Sequence, residues 1–325
     1  MMLIPKINDI IAYLHKEVSS MEREYFMPSA SLQGDVYVKE WVPDGEVRAV
    51  VQLTHGMAEH ITRYDAFAQF LNKNGISAVG FDLPGHGKSI GTSGTAGYFS
   101  DEDGWSRVVS DMQALLMKTR GENAGKKYVL FGHSMGSFLA RTYAARHGED
   151  VDAFIFCGTA GKNAALPAAR LIAKYEIKKH GARAQSPTLN ALSFGAYNKP
   201  FAPNRTGFDW LSRDNEQVDR YVEDEKCGFV FTAGGFKDLF DGLSEIGARD
   251  WAARVPQKPI LVISGEKDPV GGNGKGIKEV AASLAESGHD VTLRLYPDCR
   301  HELLNETNNA EVYGDILKFI QEKVL

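Results

Sequence analysis

Tyr128-Val-Leu-Phe-Gly132-His133-Ser134-Met135-Gly136-Ser-Phe-Leu-Ala140 joins an apolar run, a serine bracketed by glycines, and a second apolar run at helical spacing. The pattern predicts a strand, a sharp turn and a helix. A side chain two positions before or after the serine would collide with neighbouring backbone in such a turn, so glycine at 132 and 136 is what the geometry requires. The turn lifts Ser134 Oγ above the sheet and aims the first helical N–H groups at whatever the serine attacks.

Working outward, the flanking sequence alternates buried strands with helical segments. Val47 to Leu53, Gly75 to Asp82, Val151 to Cys157 and the run from Pro259 to Ser264 read as buried strands, as strands covered on both faces do, and Val291 to Tyr296 as a further strand. Helical stretches separate them: Tyr64 to Asn74, Gly104 to Lys118, Gly276 to Ser287 and Ala310 to Lys323. Glu24 to Met27 and Val36 to Trp41, with turn signals between and after them, predict an entering hairpin. Ile7, Ile10, Ile11, Leu14 and Val18 recur at helical spacing and predict an opening amphipathic helix packed on the domain. From about Lys162 to Ile246 the pattern becomes helices and loops with no convincing strand, including Ala164 to Lys179 and Gln217 to Glu225. That stretch reads as an inserted helical cap over the strand ends, where clefts in open α/β sheets form. The expected division is therefore core 1–161, cap 162–246 and core 247–325. Phe194, Tyr197, Phe201, Phe208, Trp210, Phe229, Phe231, Phe236 and Phe240 are candidates to line the cleft, many of them serving as cap core instead.

Composition sets limits on partners. The chain has 325 residues and a net charge of -5, with no basic stripe of the kind nucleic-acid binding requires. No apolar stretch approaches the roughly 20 residues needed to span a bilayer. The beginning Met1-Met-Leu-Ile-Pro-Lys6 lacks a secretory pattern, and Cys157, Cys227 and Cys299 are odd in number, far apart and without metal-ligand spacing. A cytoplasmic protein is the expectation.

Serine hydroxyl needs a base to take its proton, and the base needs a partner to hold its tautomer and stabilise its charge. Ser134, Asp268 and His301 each follow a predicted buried strand, so three distant positions converge on one edge of a parallel sheet. Their order along the chain is that of the α/β-hydrolase fold. Glu266 and Asp298 are rival acids. His133 is expected to point away from the serine, and His55, His60 and His86 precede Asp268, against that order. The loop after Leu53, Thr54-His55-Gly56-Met57, is placed to offer a backbone N–H to an oxyanion. Asp82 and His86, in a glycine-rich loop without phosphate-binding spacing, read as loop-fixing groups.

His55-Gly-Met-Ala-Glu-His60, Asp82-Leu-Pro-Gly-His-Gly-Lys-Ser89, Gly132-His-Ser-Met-Gly136, Gly265-Glu-Lys-Asp268-Pro and His301 together resemble the serine α/β hydrolases of the monoacylglycerol lipase and lysophospholipase group, in its bacterial branch. The resemblance runs over nearly the whole chain and is weakest in the cap. It implies a mostly parallel central sheet flanked by helices, with Ser134 as nucleophile, Asp268 as acid and His301 as base. The oxyanion hole it implies is made by the N–H groups of Met57 and Met135. Better-studied lipases often carry glycine at the position of Met57, a change that keeps the donor and alters the acyl pocket.

The expected reaction is two-step hydrolysis of a carboxylic ester, without metal or organic cofactor. The substrate class is a small-molecule ester or lipid, with transient contact between the cap and a membrane surface. The same residues also fit an amidase or aminopeptidase, a thioesterase or an acyltransferase, and Glu223, Asp224 and Glu225 could serve a free amino terminus. A non-catalytic receptor using the capped pocket is the alternative from another class. Oligomeric state is left open.

Overall fold

The computed structural model describes residues 21–90 and 94–325. The opening helix expected over residues 7–18 lies outside the described residues. Eight strands form one sheet in the order β1-β2-β4-β3-β5-β6-β7-β8. β1 (Met21–Pro28) and β2 (Asp35–Val42) make the expected hairpin, antiparallel to each other, and β2 runs antiparallel to β4. The others, β3 (Ala49–Thr54), β4 (Ile76–Phe81), β5 (Lys127–His133), β6 (Ala153–Cys157), β7 (Ile260–Gly265) and β8 (Val291–Tyr296), are parallel.

The apolar run of β5 explains why both faces are covered. Side chains alternate along a strand, so Tyr128 and Leu130 enter one core while Val129 and Phe131 enter the other. The first core lies under α2 (Gly104–Glu122), α3 (Met135–His147) and later helices; the second lies under α1 (Asp65–Lys73) and the closing helix Asn309–Lys323. Register then sets the working edge. Thr54 pairs with Gly132, His133 with Cys157 and Gly265 with Tyr296, so the loops leaving these strands emerge side by side.

Between β6 and β7 the chain forms α4 (Leu166–His180), α5 (Pro187–Phe194), α6 (Asn215–Glu223), α7 (Ala233–Ile246) and α8 (Trp251–Arg254). Three of these start on side-chain caps: Ser186 accepts from Leu189 N, Asp214 from Glu216 N and Thr232 from Gly235 N. Each such cap contributes about 1 kcal/mol to its helix. α7 packs on α2, α3 and α4. An added Cβ at Gly242 would drive into the Trp105 ring of α2, which is why the helices approach so closely there. α9 (Lys275–Glu286) and α10 (Asn309–Lys323) complete the chain.

Candidate active site

Ser134 stands between β5 and α3 with φ 52° and ψ -123°, a strained conformation for a residue with a side chain. Neighbouring backbone over-determines it. Ser134 N donates to Cys157 O (3.0 Å), and Ser134 O accepts from Ser137 N (2.8 Å) and Phe138 N (3.2 Å). A Cβ on Gly132 would strike the Gly136 carbonyl, and one on Gly136 the carbonyls of Thr54 and His55. The loop after β3 closes against this turn: a Cβ built on Gly56 would lie 3.1 Å from Ser134 Cβ. Among the described residues neither Met57 N–H nor Met135 N–H has a hydrogen-bond partner, so two donors stand free beside the serine.

His301 and Asp268 meet from the ends of β8 and β7, 3.0 Å apart between Nδ1 and Oδ1. Asp268 is fully buried, whereas the rival acids Glu266 and Asp298 are exposed. Burial pushes the Asp268 carboxyl up. The His301 charge and hydrogen bond, with bonds from Ser264 Oγ (3.0 Å) and Val270 N (2.9 Å), outweigh burial and hold it below the usual carboxylate range. Burial conversely pulls His301 down, and Asp268 reverses this, so the imidazole sits above its ordinary value. With Nδ1–H committed to Asp268, the Nε2 lone pair is left for a proton. Nε2 makes no hydrogen bond to Ser134 Oγ, and both residues line the same pocket. Such bonds often lengthen in the absence of substrate.

Two features of the site depart from what the residue pattern suggests. His133 does not turn away: its ring lies 4.7 Å from that of His301 and borders the pocket with Ser134. Burial lowers it to about 4, and the neighbouring His301 charge adds to the effect, so His133 stays neutral near pH 7. The second feature is a buried cluster centred on Arg63. Arg63 donates to Glu59 (2.7 Å) and, with both terminal nitrogens, to Glu302 (2.7 Å each). Glu59 accepts in turn from Gly56 N and Tyr64 OH. The cluster thus ties the loop bearing Met57 to the residue after His301. Burial would raise Glu302, but Arg63 holds it down to about 2. The signal available in the sequence was the pair Glu59 and Arg63 at helical spacing; nothing local pointed to Glu302.

The helices inserted between β6 and β7 close the site from above. Trp210 lies 5.1 Å from the His301 ring, and Leu211 O accepts from Glu302 N (2.7 Å). The resulting pocket of about 250 Å³ is lined by Met57, Phe194, Phe208, Trp210, Leu211 and Phe229 around Ser134 and His301. Four of the nine aromatic candidates therefore line it. Phe231, Phe236 and Phe240 are buried in the main core instead, and Tyr197 and Phe201 pack around Trp210. Asp82 holds loops, accepting from Ile61 N (2.8 Å) and Lys88 N (2.6 Å). Cys299 lies away from the pocket, its thiol bonded to Asn308 and Arg213. Among the described residues no helix is long and apolar enough to cross a membrane.

The chain is 28% identical over 285 residues to a monoacylglycerol lipase of Mycolicibacterium smegmatis, covering 86% of this chain and 90% of that protein. Human monoglyceride lipase is 25% identical over 294 residues, covering 89% and 87%. A thermostable carboxyl esterase from Bacillus coagulans, solved in complex with glycerol, superposes with a TM-score of 0.89 at 28% identity, covering 94% of this chain and all of that one. The resemblance drawn from the motifs thus holds in sequence and in fold. The Hydrolase_4 family model, serine aminopeptidase S33, matches residues 45–308. A match of that extent, over an eight-stranded sheet with this turn at its edge, places the chain in the Hydrolase_4 family as an α/β hydrolase.

Proposed function

We propose that this carboxylic ester hydrolase cleaves monoacylglycerol- or lysophospholipid-like substrates through an acyl-enzyme on Ser134. The observation that carries the reading is the buried His301–Asp268 pair facing Ser134 on the floor of a predominantly apolar pocket. Ser134 Oγ attacks the ester carbonyl as His301 Nε2 takes its proton, and Asp268 stabilises the imidazolium. The N–H groups of Met57 and Met135 receive the oxyanion; one such donor is worth about 2.7 to 4 kcal/mol in comparable sites. His301 returns the proton to the leaving alcohol, and then activates the water that releases the acid.

The apolar wall suits an acyl chain. Asn190 and Ala191 border the pocket while Leu192 on the same helix is exposed, as are Leu171, Tyr175 and Val222 elsewhere on the inserted helices. These exposed apolar side chains on the inserted helices support transient contact with a lipid surface. Three free cysteines fit a reducing cytoplasm.

The family description makes aminopeptidase the second reading, since that activity would require a carboxylate for the substrate ammonium. The only carboxylates lining the pocket, among the described residues, are Glu59 and Glu302, and Arg63 engages both. Glu223 and Glu225 are exposed, and Asp224 faces His60. Ester hydrolysis is therefore favoured. The test compares p-nitrophenyl esters from acetate to palmitate, a monoacylglycerol and lysophosphatidylcholine with aminoacyl p-nitroanilides, alongside fluorophosphonate labelling. Ester turnover should rise by up to about fourfold per added methylene until the pocket fills. Preferred turnover of the anilides would overturn the substrate assignment, and an unlabelled Ser134 with no turnover would favour a receptor.

A further inference from the structure

His60 and Asp224 are 164 positions apart, yet Nε2 of His60 lies 2.8 Å from Oδ2 of Asp224. Cys227 Sγ joins them, and the three potential ligand atoms all fall within 4.8 Å of one another. A single turn presents the carboxylate and the thiol: Cys227 N donates to Asp224 O (2.9 Å) and Lys226 N to Asp224 Oδ1 (2.8 Å). His60 approaches from the opposite side, its Nδ1 2.8 Å from Thr62 Oγ1. That hydroxyl can accept an Nδ1 proton, leaving the Nε2 lone pair directed at the turn. Outer hydrogen bonds of this kind orient metal-bound histidines. A plain His–Asp hydrogen bond accounts for two of the residues and does not call for a thiol at the third corner.

We propose that His60, Asp224 and Cys227 form a binding site for a zinc-class divalent cation, with water as the fourth ligand. One imidazole, one carboxylate and one thiolate make a donor set suited to zinc and poor for calcium or magnesium, which need several oxygens. Tetrahedral bonds of about 2.0 to 2.3 Å place ligand atoms roughly 3.3 to 3.6 Å apart. The His60–Asp224 pair therefore opens slightly and the thiol swings inward. On coordination the imidazole proton that Nε2 shares with Asp224 moves to Nδ1, where Thr62 Oγ1 accepts its hydrogen bond, and the thiol proton leaves to solvent. Thiolate and carboxylate then balance the ion's two charges. Arg63, whose charge acts on Cys227, is already engaged by two carboxylates. Lys226, in the same turn, extends from an exposed position.

The location gives the site a consequence. His60 follows the loop that carries Met57, whereas Asp224 and Cys227 belong to the turn that follows α6 in the insertion. Ala58 O accepts from Gly228 N (2.9 Å) and Tyr221 OH (3.0 Å) at the same junction. An ion there would pin the insertion to that loop.

Cobalt and zinc titrations of the chelator-treated full chain test this. One equivalent of cobalt should produce thiolate-to-metal charge-transfer absorption that zinc abolishes, and zinc should raise Tm in a concentration-dependent way. Cys227→Ser should eliminate the absorption, and Asp224→Asn should weaken zinc binding by roughly tenfold or more, both with unchanged circular dichroism. Cys299→Ser should retain full binding. No cobalt–thiolate absorption in the wild type, or absorption that survives Cys227→Ser, overturns the assignment.

Discussion

Ser134 and His301 stand at the same edge of the sheet, but different kinds of structure hold them there. Ser134 is fixed by its immediate surroundings: a strand, two glycines, a helix and backbone bonds to Cys157, Ser137 and Phe138. His301 is fixed from a distance, by Asp268 after β7, the His133 ring at the end of β5, Trp210 from the insertion and, through Glu302, Arg63 beside the β3 loop. The proposed nucleophile thus depends on local sterics, and the proposed base on the completed fold. Perturbing the insertion or the Arg63 cluster should accordingly disturb the base while leaving the serine where it is.

The largest effect should come from Ser134→Ala. Its kcat on a p-nitrophenyl ester should fall on the order of 10⁶-fold with urea unfolding little changed; substantial residual turnover would mean that another nucleophile operates. Asp268→Asn comes next, with a fall on the order of 10⁴-fold from the wrong imidazole tautomer. The pH profile sharpens that result. Asp268 raises His301 above its ordinary value, and protonated His301 cannot accept the Ser134 proton. Wild-type kcat/KM should fall as pH drops through a value above 6.5, and the variant's acid limb should move lower.

Arg63→Met probes the long-range support and should cost about 3 to 5 kcal/mol in urea unfolding, because Glu59 and Glu302 are left buried without a cation. Glu302 has a folded value depressed from 4.5 to about 2. Its contribution is therefore complete above about 4.5 and lost as pH falls toward about 2. Wild-type stability should decline across that window, and the decline should flatten in Arg63→Met. A variant as stable as wild type would mean that the cluster is not a structural support. The smallest effect is assigned to Trp210→Leu, which removes one aromatic contact with His301. It should cost about 1 kcal/mol, or about fivefold in kcat/KM, and fluorophosphonate labelling would show whether Ser134 remains in place.

Much of the fold was legible because strand burial and helix periodicity are written locally. The strands predicted from Val47 to Leu53 and from Gly75 to Asp82 match β3 and β4 to within a residue or two. The side-chain partners were less accessible. Sequence spacing left His133 apparently uninvolved, since nothing in Gly132-His-Ser-Met-Gly136 encodes the approach of a loop from the far end of the chain. The aromatic residues from 194 to 240 carried the same ambiguity. The residue types mark these positions as apolar, but only the fold sends Phe229, in the segment before α7, to the pocket and Phe236, on α7, into the main core.

By itself the sequence determined the strand–turn–helix at Ser134, the alternation that builds a two-faced sheet and the chain order of serine, acid and histidine. These follow from backbone sterics and from the periods of strand and helix, which act over a few residues. Tertiary structure alone decided that Arg63 joins Glu302 across 239 positions, that Trp210 covers His301, and that His60 meets Asp224. Charges and rings are recognised by distance in space, and the chain must close its sheet and lay its inserted helices across the edge before those distances exist.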